Sequence, residues 1–283
     1  MLDETVAVIE NRPLTGGHFL LSLRSPHQAP LVRPGQFAML RLPGHSDVLL
    51  RRPMSIYDVK LAHPQGSGKG KGNLPEIIQL LYKIVGRGTQ LMAELRPGDQ
   101  TEMLAPLGHG FFEEKYLEAA RQADEVLHVA GGIGIAALLM PAKSLARAGI
   151  RQRLFFGARG VQELVGTEDF VPFVGETILS TEDGSCGTPG YITRPLEAHL
   201  ENHRHQRFLL LACGPWAMLE ATAEMACRHG CPCLVSMENR MGCGLGVCLG
   251  CSIRVRGEGH GSYERVCTEG PVFWAKHVMW ERK

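Results

Sequence analysis

Residues 236–267, SMENRMGCGLGVCLGCSIRVRGEGHGSYERVC, place Cys243, Cys248 and Cys251 at C-x4-C-x2-C spacing, and Cys267 follows after fifteen intervening residues. Gly242, Gly244, Gly246 and Gly250 leave no room for a helix. They let a loop wrap an object closely with its amide hydrogens turned inward. The run 251–256 alternates like a strand, 257–261 reads as a turn and 263–266 as the returning strand. That hairpin brings Cys267 back beside Cys251, so four thiolates can converge. The spacing of the first three cysteines matches the plant-type run for a 2Fe–2S cluster. Zinc is the competing metal, but structural zinc sites usually offer two short C-x2-4-C knuckles and this stretch has one. Four unrelated thiols would leave three cysteines within nine glycine-spaced residues unexplained.

The chain has 283 residues, enough for two domains and a small third. A formal charge of +1 argues against a nucleic-acid surface, since phosphate binding needs clustered Lys and Arg. No apolar run reaches the ~18 residues that span a bilayer, so no membrane span is expected. The acidic start MLDETVAVIE is unlike a secretory signal. Nine cysteines, four of them assigned to a cluster, fit a reducing compartment, and a cytoplasmic location is expected.

Residues 5–9, 19–23, 37–42 and 77–85 read as short strands between Pro/Gly/Asn turns, the pattern of a small antiparallel barrel. Within it lie Arg51, Arg52, Pro53, Met54 and Ser55. An arginine at a strand end can fork onto a pyrophosphate, and a nearby serine can hydrogen-bond an isoalloxazine edge. Leu81, Tyr82 and Lys83 precede Gly86, Arg87, Gly88 and Thr89, which open a helix-like run TQLMAEL. Glycines ahead of a helix N-terminus make an anion nest, with Thr89 as its N-cap. Each piece alone reads equally as a strand end or a turn; together they point to an FAD site. The insert HPQGSGKGKGNLP at 63–75 reads as a solvated hairpin tip, or as a charged docking loop. His109, in the segment that closes the barrel, reads as a loop residue rather than a catalyst.

Further on, a buried strand at 125–129 leads through Ala130, Gly131, Gly132, Ile133 and Gly134 into an apolar helix. A glycine turn is informative in that strand–turn–helix context. More strands follow at 153–157, 176–180 and 208–212, ending in Arg159, in the TEDGS run at 181–185 and in Cys213-Gly214-Pro215. Ligands bind at the carboxyl ends of such strands. Arg159 is either a cofactor-phosphate ligand or a surface arginine. Cys213 is either a nicotinamide neighbour or a core thiol. Cys186, Cys227, Cys231 and Cys233 follow no metal-binding spacing and read as structural or exposed thiols.

RPMSIYD, LYKIVGRGT, AGGIGIA, TEDGSCGT, CGP, the cysteine run and the closing CTEGPVFWAKHV, in this order, resemble the ferredoxin–NADP reductase superfamily. More closely they resemble the electron-transfer subunits of type 1B dihydroorotate dehydrogenases, from end to end. Ala137 stands where that family often has Pro, and the Gly/Lys insert is unusual for it. The resemblance implies a multidomain α+β and α/β chain. An antiparallel β-barrel flavin domain would occupy 1–110, a Rossmann-like parallel-sheet NAD domain 111–232, and a 2Fe–2S hairpin region 233–283. It implies FAD on Arg52, Pro53, Met54, Ser55, Leu81, Tyr82, Lys83, Gly88 and Thr89. It implies the cluster on Cys243, Cys248, Cys251 and Cys267, with NAD near Gly131, Gly132, Gly134, Arg159, Cys213, Gly214 and Pro215. The implied partner is an FMN-containing dihydroorotate dehydrogenase catalytic subunit, in a heterotetramer of two of each, in de novo pyrimidine (UMP) biosynthesis. Nicotinamide passes electrons as a hydride pair whereas a cluster takes one at a time, so the implied relay is partner FMN, cluster, FAD, NAD. Hydride transfer needs no acid–base residue. Ser55 and the amides around the cluster are the expected tuning groups. Two alternatives remain at this point: a ferredoxin-type NAD(P) reductase or hydrogenase-linked subunit, and a non-enzymatic metal-stabilised interaction protein.

Overall fold

The computed structural model describes residues 1–44, 47–61, 74–257 and 262–280. The Gly/Lys insert, up to residue 73, and positions 258–261 of the expected hairpin turn lie outside the described residues.

Seven strands form the first sheet: β1 (Leu2–Pro13), β2 (His18–Arg24), β3 (Phe37–Arg41), β4 (Arg52–Ser55), β5 (Asp58–Lys60), β6 (Ile77–Lys83) and β7 (Gln100–Leu107). Their order is β4-β3-β7-β1-β2-β6-β5 and every pairing is antiparallel. Alternation turns Val6, Val8, Leu21, Leu23, Leu40, Ile78, Leu80 and Met103 inward, where they pack as one core. Edge strand β4 packs back against β6, near the opposite edge, and so closes the sheet into a barrel. This closure is what carries residues 52–55 to residues 81–83. Helix α1 (Arg87–Glu94) bridges β6 and β7.

After α2 (Glu114–Gln122) the strands β8 (Glu125–Gly131), β9 (Gln152–Ala158), β10 (Glu176–Thr181), β11 (Thr188–Pro189), β12 (Phe208–Cys213) and β13 (Cys233–Ser236) form a parallel sheet. They are interleaved with α3 (Leu139–Arg147), α4 (Thr167–Phe170), α5 (Thr193–Asn202) and α6 (Trp216–Arg228). Every residue of β8 and of β12 is buried, as expected for strands covered by helices on both faces. Beyond the cysteine loop come the hairpin β14 (Ser252–Val255) and β15 (Ser262–Arg265), then β16 (Val272–Trp274). The second sheet runs β11-β10-β9-β8-β12-β13-β16, and β16 alone is antiparallel, pairing Leu234 with Trp274. The chain thus returns from the cysteine hairpin to finish the nucleotide sheet.

The parts share cores. Phe37, Met39, Leu104 and Leu107 of the barrel pack in one cluster with Cys251, Ile253, Val266 and Cys267 and with Leu127 and Leu210 of the parallel sheet. Polar ties reinforce the junction. Tyr57 donates to Asp169 at 2.5 Å, Lys143 reaches the buried Asp58 carboxylate at 2.6 Å, and Lys83 pairs with Glu163 at 2.6 Å. Burial and the Asp169 carboxylate push the Tyr57 phenol far above its ordinary pKa, so it remains a donor. Among the described residues no helix is long and apolar enough to cross a membrane.

Candidate functional site

The cysteine loop leaves β13 and returns at β14. Cys243 is half-buried, Cys248 exposed, and Cys251 and Cys267 buried. Strand pairing of Ser252 with Arg265, and a bond from Val266 N to Cys251 O at 3.1 Å, bring Cys251 and Cys267 together as the spacing predicts. The Leu245 amide points at Cys243 Sγ at 3.3 Å. Against the upward effect of burial, donation from the Cys248, Leu245 and Val247 amides and from the Cys248 thiol brings Cys243 down to about 7. Burial and its contact with Cys251 instead push Cys267 up to about 12. Among the described residues no three His, Cys, Asp or Glu groups gather around one ion-sized point. The hairpin sets Cys251 beside Cys267, and Cys243 and Cys248 lie on the loop that leads into it. A 2Fe–2S cluster needs two protein ligands on each iron, and soft thiolates backed by amide donors suit it. Leu245, Val247 and Leu249, beside these ligands, are all exposed, Val247 by 80%.

In the flavin region Arg52, Pro53, Met54 and Ser55 are each half-buried. The Arg52 guanidinium lies against the first turn of α1, where a Cβ on Gly88 would stand 2.3 Å from its Nε. Its Nη1 donates to the Leu50 carbonyl, and among the described residues no carboxylate pairs with it. A guanidinium without a counter-ion beside a helix N-terminus fits a diphosphate, the linkage FAD carries. The helix begins differently from the expectation, however. Gly86 is the N-cap and Thr89 is the third helical residue. The Thr89 hydroxyl accepts from the Val85 and Gly86 amides at 2.9 and 3.1 Å and donates to the Gly86 carbonyl, so it braces the loop from inside the first turn. The Leu81 side chain is buried in the core shared with the nucleotide sheet. The Tyr82 ring lies in the barrel core, stacked on Phe19 at 5.5 Å and bonded to Asn11 at 3.2 Å, and burial lifts its pKa to about 12. Lys83 is committed to Glu163.

The nucleotide sheet changes direction between β8, followed by its neighbours β9 to β11 on one side, and β12 on the other. That is the switch point at which ligands bind in open α/β sheets. Cys213 stands opposite Ala130 there, and Gly131 opposite Gly157. The glycine turn closes tightly on the next loop: a Cβ on Gly134 would lie 2.3 Å from the Cys213 carbonyl oxygen. Gly131, Gly134, Cys213, Gly214 and Pro215 are therefore brought together, and β6 of the barrel packs on this turn. Gly132 sits in the same turn with open space around it. Arg159 is exposed at the tip of β9. Next to it Asp183 accepts from the Ser185 amide at 2.9 Å and hydroxyl at 2.6 Å, and these bonds hold its carboxyl below the usual range. A Cβ on Gly160 would stand 2.6 Å from Asp183 Oδ2, so the two loop tips touch.

Glu238 is absent from the expected set. It follows β13, keeps an exposed surface, and yet the protein packed around it raises its carboxyl pKa. Burial first, then the Glu238 charge, push the Cys213 thiol well above its ordinary value, against a Ser236 hydrogen bond. The thiol stays neutral. No strand is expected at 233–236 from the sequence, so nothing in it singles out Glu238.

Comparison with known proteins meets this geometry at the cysteine loop. The iron–sulfur cluster binding domain of dihydroorotate dehydrogenase B matches residues 238–279. Over its whole length the chain is similar to the dihydroorotate dehydrogenase B (NAD(+)) electron transfer subunit of Bacillus caldolyticus, 36% identical with 98% of each chain covered. The subunit of the same name from Desulforamulus reducens is 33% identical over 93% of each. Among solved structures, a chain of an NADH-dependent reduced ferredoxin-NADP oxidoreductase superposes with a TM-score of 0.79 at 27% identity, covering 97% of this chain and 90% of that one. With likeness of this extent running through barrel, nucleotide sheet and cysteine loop alike, the chain belongs to the family of dihydroorotate dehydrogenase B (NAD(+)) electron transfer subunits.

Proposed function

We propose that this chain passes electrons between an FMN-containing dihydroorotate dehydrogenase catalytic subunit and NAD+, in the cytoplasm, within a heterotetramer of two copies of each. The observation that carries the reading is that the cysteine loop rests directly on the barrel. A Cβ on Gly244 would stand 2.8 Å from Met39 Cγ, and Met39 pairs across the sheet with Pro53 of the Arg52–Ser55 strand. Cysteine loop and flavin strand are thus separated by one residue of β3.

When bound, FAD exchanges an electron pair with nicotinamide and single electrons with an iron–sulfur cluster. The chain's own residues hold and orient. Arg52, with the α1 N-terminus, would receive the FAD diphosphate, and Ser55 an edge of the ring system. Gly131, Gly134, Gly214 and Pro215 form the wall on which NAD would lie, and neutral Cys213 beside Glu238 would border the nicotinamide. Asp183, kept anionic by Ser185, favours a ribose hydroxyl over a phosphate monoester at the tips of β9 and β10, in line with NAD. Cys243, Cys248, Cys251 and Cys267 would hold the cluster. The exposed Leu245, Val247 and Leu249 around it suit contact with the catalytic subunit.

Anaerobically prepared protein is expected to contain about one FAD, and about two irons with two acid-labile sulfides, per chain. Flavin, iron and sulfide analysis checks this. Stoichiometric zinc without sulfide would contradict it.

A further inference from the structure

Arg265 ends β15, two residues before Cys267, and its side chain reaches in two directions. Nη1 donates to the Gly246 carbonyl at 3.1 Å, inside the loop between Cys243 and Cys248. Nε donates to Glu269 Oε2 at 2.9 Å and Nη2 to Oε1. Glu269 also accepts from the Arg265 amide at 2.6 Å and from the Thr268 hydroxyl at 3.1 Å, so it is fixed from four sides. The loop is pressed onto this pair. Gly246 holds φ +79, and a Cβ there would lie 2.9 Å from Thr268 Cγ2 and 3.0 Å from Arg265 Nη1. Gly246 is nineteen residues from Arg265, and among the described residues no backbone ladder joins the two segments; the guanidinium ties them, together with the Gly246 amide that donates to the Cys267 thiol.

We propose that the Arg265–Glu269 pair is a positioning element of the iron–sulfur site, in which Arg265 clasps the Cys243–Cys248 loop to the Cys267 turn and the two opposed charges set the cluster's reduction potential. The inference rests on the reading that the four cysteines carry the cluster. Arg265 is the member that reaches into the ligand loop, through its Nη1 bond to the Gly246 carbonyl between Cys243 and Cys248. Reduction adds negative charge at the cluster. The arginine therefore favours the reduced form, and Glu269 offsets it. A planar fork spanning a carbonyl and a carboxylate is a task lysine does not perform with equal geometry.

The test uses the anaerobic full-length chain. EPR-monitored redox titration gives the cluster potential, and loss of visible absorbance in excess chelator gives cluster release. Arg265→Gln is expected to lower the potential and Glu269→Gln to raise it, while the double variant returns close to the wild type. Arg265→Lys keeps the charge without the fork: its potential stays near the wild type, but its cluster is released about tenfold faster. A merely structural role would move both single variants the same way or neither. Either result, in proteins that retain the cluster, overturns the inference. If the glutamine variants do not fold, unchanged release from Arg265→Lys overturns the clasp by itself. A wild-type chain without a cluster would overturn the underlying reading instead.

Discussion

Replacing Cys248 by serine is expected to cut electron delivery to a catalytic partner by about a hundredfold or more, while NADH-to-dye activity stays within about twofold of the wild type. Cys248 is the most exposed of the four thiols, and a Cβ on Gly242 would stand 3.3 Å from its sulfur, so it sits at the tight outer bend of the loop. A serine hydroxyl is a hard donor that does not ionise near neutral pH and replaces a soft thiolate poorly. The residues proposed for FAD and NAD lie on β4, β6, α1 and at the ends of β8, β9, β10, β12 and β13, none of which carries Cys248. The NADH–FAD half therefore keeps its framework. Steady-state assays with a dye and with the partner as acceptors separate the two activities. Equal loss of both, with flavin content and melting temperature unchanged, would contradict the proposed order of centres.

Gly134→Ala is expected to raise KM for NADH by at least about tenfold while leaving flavin and iron content near the wild type. The new methyl would meet the Cys213 carbonyl oxygen at 2.3 Å, its carbon at 2.5 Å and the Gly214 nitrogen at 2.7 Å. All three are backbone atoms, so no side chain can rotate away, and the two loops must part. Such overpacking costs about 1–3 kcal/mol, enough to spoil a wall shared by both loops without unfolding a sheet buried on both faces. Gly132→Ala is the control. It meets nothing within 4 Å and bears only the φ +51 backbone cost of about 1 kcal/mol, so its effect should be smaller. A normal KM for Gly134→Ala would show that the turn does not form the NADH wall.

How much of this was legible in the sequence depended on the reach of each contact. The glycine turn at 131–134 and the pairing of Cys251 with Cys267 are local and could be read from spacing alone. The meeting of residues 52–55 with 81–83 showed only when the pieces were read together as parts of one barrel, because it depends on closure between the short strand β4 and β6. Thr89 looked like an N-cap because its residue type favours that role. The sharper bend at Gly86 moved the helix start three residues earlier and left the hydroxyl to brace the loop. Tyr82 and Lys83 carry the motif, yet their side chains serve the barrel core and the Glu163 ion pair. Strand β16 was invisible as a strand: three residues have no period to show, and their pairing with β13 is set by the intervening cysteine hairpin. Arg265 and Glu238 were missed for one reason. Their significance lies in what the fold places beside them, Gly246 in one case and Cys213 in the other.

The central claim is that this chain relays electrons and does not itself oxidise dihydroorotate. Removing hydride from that substrate needs a flavin facing it and a base to take a proton, and a second flavin domain such as a ~250-residue (β/α)8 barrel has no place among the two sheets and one hairpin described. Dihydroorotate-dependent NAD+ reduction, followed at the NADH absorbance, should be measured for the isolated chain, the isolated FMN-containing catalytic subunit and their mixture. The account predicts turnover in the mixture alone. Turnover by this chain alone, after flavin analysis has shown that no FMN subunit copurified, would contradict it.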